Sequence, residues 1–323
     1  VQVSEPFVKK ITPSGFFSLL LKTGVFLVSM GVIVFLLFDK MLWWNFFKES
    51  YCTQKGLLVL SLMLVGMFFN ISVEALKWQY LVRTTSPVSF RLALTAVFSG
   101  ITAGLITPHG IGDYVGRILF LNPENRLENI ASVLFSRIAQ LCITCIAGVV
   151  ATLYFCFVIQ MNQHMLTALL LAIATLLIIF LVWKFRVFLL DKMKHVPLLK
   201  NIEKWFDQLR GYSNQLFIKT LALSALRYGI FLTQFVILLI FFGVELPLEI
   251  IILGAVFTFF VKSIVPTFFD LGVRELAAVF FFSAYHIEDA NVLAASISLW
   301  LINLLIPAVV GLFCMFGIDY TKK

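Results

Sequence analysis

Charge is what this chain has least of. Only 13% of its 323 residues are Asp, Glu, Lys or Arg, against roughly 25% in an ordinary soluble domain. With 61% hydrophobic residues and a mean hydropathy of +0.99, a water-soluble globular fold is excluded. Cysteine is sparse as well. Four of the five lie inside apolar runs (Cys142, Cys145, Cys156, Cys314) and Cys52 lies in a loop, so there is no disulfide framework. Cys142 and Cys145 have the spacing of a redox pair, but inside a hydrophobic run small residues that pack between helices are the better reading. The four histidines are scattered and match no metal site. No metal, no cofactor and no catalytic residue is assigned, and no nucleophile–base spacing points to an enzyme.

What the chain does have is apolar length. Six stretches, about 16–38, 57–80, 131–159, 166–183, 218–242 and 291–316, are each near or above the roughly 20 residues needed to cross a hydrocarbon core. They predict an all-α integral membrane protein, a single polytopic domain over 1–323. The first stretch shows no small-residue cleavage pattern and is expected to be a retained helix. The net charge of +8 is concentrated. Between 184 and 219 lie Lys184, Arg186, Lys192, Lys194, Lys200, Lys204, Arg210 and Lys219, against Asp191, Glu203 and Asp207. A basic loop marks the cytoplasmic side and suits anionic head groups. Flanked by membrane on both sides, it does not point to nucleic acid. After Pro197, Leu198, Leu199, Ile202, Trp205, Phe206 and Leu209 fall at helical spacing, which predicts an interfacial helix within a linker at about 184–217. Lys77, Arg83 and Arg91 form a second basic stretch, read as a cytoplasmic loop, and both termini are expected on that side.

Two further apolar segments are interrupted. One runs through Gly104, Pro108, Gly110, Gly112-Asp113 and Arg117; the other through Lys262, Pro266, Asp270, Gly272, Arg274 and Glu275. Helices are expected at about 90–106 and 113–121 around the first break, and at about 248–265 and 273–285 around the second. Asp113 is placed to cap the helix after its break. Backbone opened at membrane depth must be buried in protein or line a wet cavity. Paired breaks in two halves of a chain mark the site in many transporters. The loop charges make the halves, about 57–159 and 218–316, an inverted repeat with a re-entrant hairpin in each.

Nine ionisable residues fall within or beside these apolar segments: Glu74, Asp113, Arg117, Arg137, Arg227, Lys262, Asp270, Arg274 and Glu275. Each costs about 2.5–3.5 kcal/mol to insert and is a functional candidate by default. If they only neutralise one another, Glu74 with Arg137 and Asp270 with Lys262 are the pairings to expect. The functional alternative rests on the planar arginine fork, which suits phosphate oxygens. The helix N-termini after Gly112 and Gly272 would add to that field. Arg117, Arg137, Arg227, Lys262 and Arg274 would then bind the phosphate of a membrane phospholipid, while the four acids meet an amine on the same head group or hold the arginines.

At these residues the chain resembles a known family. Glu74-Ala-Leu-Lys-Trp78, then Gly104, Pro108, Gly112-Asp113 and Arg117, then Pro266 and Gly272-Val-Arg274-Glu275, are similar to the lysylphosphatidylglycerol synthase membrane region, also called the flippase-like family. The resemblance spans about 16–316. It implies a polytopic protein of the bacterial inner membrane that moves phospholipids or related lipids between leaflets. It does not carry lysyl transfer, because the sequence reaches only seven residues past its last apolar span. The second break also departs from the family's glycine-rich turn, with Thr267-Phe268-Phe269-Asp270 in its place. Two other readings stay open. The chain is either an intramembrane lipid-modifying enzyme using Asp113, Asp270 or Glu275 as acid or base, or an accessory subunit that docks a separate synthase or glycosyltransferase on its basic linker. A homodimer is compatible with all three.

Overall fold

Long apolar runs become helices here because lipid leaves the backbone no other hydrogen-bond partner than itself. In the computed structural model, residues 50–105, 107, 110–158, 163–195, 206–264 and 272–316 are described, and every element among them is helical. The α-helices are α1 (Gln54–Val82), α2 (Phe90–Leu105), α3 (Gly112–Ile118), α4 (Ile130–Val158), α5 (Gln163–Lys184), α6 (Arg186–Lys194), α7 (Asn214–Phe241), α8 (Leu248–Ile264), α9 (Val273–Ser283), α10 (Asp289–Trp300) and α11 (Ile306–Phe316). Two of them start a few residues before their apolar runs because a hydroxyl caps them. Thr53 accepts from the Gly56 N–H at 2.9 Å and Ser213 from the Leu216 N–H at 3.1 Å. A single π turn, Leu301–Leu305, joins α10 to α11, and the Ile306 N–H reaches back to the Leu301 carbonyl. Pro307 follows at once and has no N–H to continue an α-helical ladder.

Four described helical spans are long and apolar enough to cross a membrane: Gln54–Val82, Ile130–Tyr154, Asn214–Phe241 and Asp289–Met315. A fifth exists if Ile173–Lys184 and Arg186–Met193, bent by 71°, count as one. The expected span at 16–38 lies outside the described residues, as do Pro108, Pro266 and Asp270. Most of the expected interfacial helix, 196–205, lies outside them too. Beside that gap stand α6, turned sharply away from α5, and a 3₁₀ turn at Asp207–Gly211.

The packing has a simple plan. Helices α1 and α7 lie against each other along much of their length, and they run antiparallel. Their contacts pair Met63 with Gln234, Asn70 with Arg227 and Lys77 with Ser224, so one number rises as the other falls. Each interrupted segment folds back on itself: α3 packs on α2, and α9 on α8. Each hairpin is then held by the other half of the chain. Helix α2 packs on α11, with the Thr102 hydroxyl 2.7 Å from the Ala308 carbonyl, and α8 packs on α4, with Phe260 against Gly148. The largest apolar core, built around Phe235, Leu238, Leu239, Phe259 and Phe282, joins α1, α7, α8, α9 and α10. A second, around Trp78, ties α1 to α2 and α4.

The far end of α1 is closed by side chains rather than by water. Its Leu81 carbonyl, one of the groups a helix end leaves open, accepts from the Tyr212 hydroxyl and the Gln208 amide, both at 3.0 Å. Arg186 holds that segment in turn. It donates to the carbonyls of Trp183, Leu209 and Tyr212 and stacks over the Trp183 ring at 4.0 Å. The bend between α5 and α6 is thereby fixed to the end of α1.

The first hairpin closes through glycine. A Cβ at Gly116 would run into the backbone of Ser99 and Gly100, so the two helices touch only because that side chain is missing. Gly116→Val should therefore cost about 1–3 kcal/mol through overpacking and lower the thermal unfolding midpoint in detergent. Gly229→Ala, whose added methyl meets open space inside α7, should leave the midpoint unchanged or raise it slightly.

Candidate functional site

Helical spacing brings the charges together. On α1, Asn70, Glu74, Lys77 and Leu81 recur every three or four residues and share one buried face. On α3 the same spacing aligns Asp113 with Arg117. Helix α4 adds Ser136 and Arg137, and α7 adds Ser224 and Arg227. Four helices thus deliver two carboxylates and four cations to one place.

The acids are fully engaged. Glu74 accepts at one oxygen from Arg117 at 2.7 Å and Ser136 at 3.0 Å, and at the other from Lys77 at 2.8 Å and Arg227 at 3.0 Å. Asp113 takes a fork from Arg117, with Nε at 2.6 Å and Nη2 at 2.9 Å. Its second oxygen also receives Nη2 of Arg137 at 2.9 Å and Nε at 3.3 Å. Each carboxylate has about four acceptor positions, and each meets four donors. Arg117 touches both acids and is the link between them.

The cations differ in access. The side chains of Lys77 and Arg117 are 1% and 5% exposed, whereas those of Arg137 and Arg227 are 37% and 32% exposed. Arg137 is oriented by the Gly110 carbonyl at 2.8 Å and by the Tyr114 ring at 5.0 Å. Gly110 sits in the left-handed region at φ 65°, which turns that carbonyl toward the guanidinium. Arg227 is oriented by Asn70, which accepts from the Arg227 Nε at 2.9 Å and donates to the Arg227 backbone carbonyl at 3.3 Å. The cluster therefore has a sealed centre and two guanidinium groups at its open edge.

A second, smaller pairing sits on α9 and α10. Arg274 donates to Glu275 at 2.6 Å and to the Ser296 hydroxyl at 2.8 Å, and that hydroxyl donates to Glu275 at 3.1 Å. The other Glu275 oxygen accepts the Gly272 N–H at 2.8 Å and closes the start of α9, where Gly272 has φ 95°. Among the described residues one cation meets one acid here.

Of the nine candidate residues, the structure brings Glu74, Asp113, Arg117, Arg137 and Arg227 into one cluster and joins Arg274 to Glu275 in another. Lys262 ends α8, a favourable place for a cation at a helix C-terminus, and Asp270 lies outside the described residues. Three expectations change. Glu74 pairs with Arg117, Lys77 and Arg227 rather than Arg137, because Arg137 is drawn to Asp113. Asp113 does not cap α3, because both its oxygens face arginine; the Thr107 hydroxyl accepts the Gly112 N–H instead, at 2.7 Å. At the start of both short helices an N–H is already taken, that of Gly112 by the Thr107 hydroxyl and that of Gly272 by Glu275. Lys77, placed by sequence in a cytoplasmic stretch, belongs to the cluster, and its position three residues after Glu74 was the signal. Asn70, Ser136, Ser224 and Ser296 carry no sequence signal of their own. Among the described residues no group of three His, Cys, Asp or Glu is arranged to hold a metal.

Removing one partner of a buried ion pair costs about 3–5 kcal/mol. Arg117→Ala strips donors from both carboxylates and should abolish a monodisperse, cooperatively unfolding species in detergent. Arg137→Ala and Arg227→Ala act at the accessible edge and should shift the unfolding midpoint much less. Equal loss in all three variants would contradict a division into sealed and open cations.

No curated protein matches the sequence. A sequence model described as "Lysylphosphatidylglycerol synthase TM region" matches residues 20–311. That match takes in α1 through α10, both hairpins and every residue of the charge cluster. The chain is a membrane protein that belongs to the lysylphosphatidylglycerol synthase TM region family.

Proposed function

We propose that this protein moves lipids with a phosphate-containing head group between the leaflets of the bacterial inner membrane. Family membership supports a membrane lipid-related role. One observation carries the finer reading: among the described residues, four helices of an apolar bundle bring two acids and four cations together, and the two partly exposed cations are arginines. A head group meets its largest barrier in the hydrocarbon core, where each unsatisfied polar group costs several kcal/mol. Preplaced guanidinium groups replace part of its hydration with charge-assisted hydrogen bonds, while the acyl tails stay in lipid.

The packing supports an inverted repeat as the frame for this movement. The helices that open the two halves, α1 and α7, are antiparallel; each half contains a helical hairpin, and each hairpin rests on the last helix of the other half. In this reading the hairpins are re-entrant, and the basic ends, including both termini, face the cytoplasm. A separate synthase or glycosyltransferase partner and a homodimer remain compatible with the accessible basic segment around α6, and neither is needed for the movement itself.

The assay is leaflet exchange of a labelled phospholipid in proteoliposomes. The intact protein should accelerate exchange. Arg137→Ala and Arg227→Ala should each cut the rate at least tenfold while the unfolding midpoint is largely kept. Intact protein without exchange activity, or variants with unchanged rates, would retire the proposal.

A further inference from the structure

We infer that the cavity between the end of α1 and the start of α2 is a binding site for a phosphate ester, with Arg83 as its anchor and a phospholipid head group as the source that its position favours. The inference goes beyond the translocation reading and does not depend on it, because none of the residues lining the cavity belongs to the charge cluster.

The cavity has a volume of about 360 Å³ and is lined by Gln79, Tyr80, Arg83, Pro87 and Val88. Sites for small ligands begin at about 300 Å³, so it has room for a phosphate together with part of the group esterified to it. Its walls are the last turn of α1 and the segment that leads into α2, and hydrogen bonds hold them together. The Gln79 amide donates to the Val88 carbonyl at 2.8 Å and ties one wall to the other. Behind them the Ser86 N–H closes onto the Val82 carbonyl at 2.8 Å. Asn125 holds the same turn by donating to the Thr85 carbonyl at 3.0 Å and the Ser86 hydroxyl at 3.1 Å. The lining is therefore in place before a ligand arrives, which lowers the entropy cost of engaging one.

The chemistry of the lining points to an anion. Arg83 is exposed and is the one charged residue among the five. Its planar fork of N–H donors matches two oxygens of a phosphate. Tyr80 lines the cavity too, and the Lys219 ammonium of α7 lies 3.4 Å from the centre of its ring, which brings a second cation close to the wall. The five lining residues include no carboxylate, so a phosphate enters without competing for the fork with an acid of the lining. Position supplies the source. Arg83 directly follows Gln54–Val82, a span long and apolar enough to cross a membrane. Arginine at such an end reaches for the level of the head groups. A phospholipid bound here keeps its tails in hydrocarbon. The cavity is what separates Arg83 from an ordinary basic residue at a span end.

The test uses the full chain in detergent and reads binding from the shift in thermal unfolding across a concentration series. The probes are phosphatidylglycerol, a diacylglycerol with the same tails and no phosphate, and glycerol 3-phosphate in water. Phosphatidylglycerol should bind and the diacylglycerol should not. Glycerol 3-phosphate distinguishes the sources: no binding assigns the site to a lipid head group, and binding as tight as that of phosphatidylglycerol assigns it to a soluble phosphate ester. In Arg83→Gln the apparent affinity for the phosphate ester should fall about tenfold or more, the loss that goes with a charge-assisted hydrogen bond, while the midpoint without ligand is kept. Arg83→Lys retains the charge without the fork and should recover only part of that loss. Arg91→Gln removes the same charge from an exposed residue in the first turn of α2 that does not line the cavity, and should leave the affinity unchanged. Equal affinity in Arg83→Gln and the intact protein overturns the inference, as does equal binding of the diacylglycerol. An equal loss in Arg91→Gln also overturns it, because the attraction then belongs to the basic surface at large. None of these results bears on lipid movement, which is read separately in the exchange assay.

Discussion

The arrangement depends on one guanidinium. Arg117 lies between Glu74 and Asp113 and donates to both. Glu74 stands on the helix that opens the first half, and Asp113 on the returning arm of the first hairpin. Without that bridge the hairpin arm would bring one buried carboxylate toward another, with only Arg137 left at Asp113 and Lys77 and Arg227 at Glu74 to offset the repulsion. With it, the other cations find fixed acceptors: Lys77 and Arg227 at Glu74, Arg137 at Asp113. The geometry of the open edge is a consequence of the sealed centre.

That dependence explains why the two hairpins differ in character although they are built alike. Both fold back antiparallel and both carry an arginine and an acid at the start of the return helix. In the second, the two residues are adjacent in sequence and satisfy each other, with Ser296 filling the remaining positions. In the first, the acid and the arginine are one helical turn apart, so the arginine reaches past its own acid to a different helix. Adjacent spacing closes a pair, and one-turn spacing extends a network. Among the described residues, the extended ion-pair network therefore forms at the first hairpin and not at the second.

The sequence disclosed the helices well, because hydropathy and the demand for internal backbone bonding leave little choice. It placed the hairpins from Gly112 and Gly272, and it identified the ionisable residues because charge is rare in apolar runs. It was weaker on who pairs with whom. Glu74 and Arg137 were expected to pair as opposite charges in neighbouring apolar runs; Arg117 reaches Glu74 instead because α3 lies close on α2, where Gly116 meets Gly100. Lys77 was missed for a different reason. It sits near the end of its apolar stretch, where a lysine ordinarily reaches for water. Here the extra turn of α1, closed by Tyr212 and Gln208 at Leu81, keeps Lys77 inside. Loop charge alone cannot reveal a helix end that is capped from another part of the chain.

The same contacts at the end of α1 bear on how a cluster of charges persists inside an apolar bundle. Insertion scales put each central charge at about 2.5–3.5 kcal/mol, and ion pairing offsets that only where geometry is held. The holding comes from outside the cluster. Tyr212 and Arg186 fix the end of α1, Thr102 ties the first hairpin to the last helix, and Asn70 and Gln234 bind α1 to α7 on either side of the charged layer. These contacts thus set the positions of the charged ones, and with them the orientation of Arg137 and Arg227.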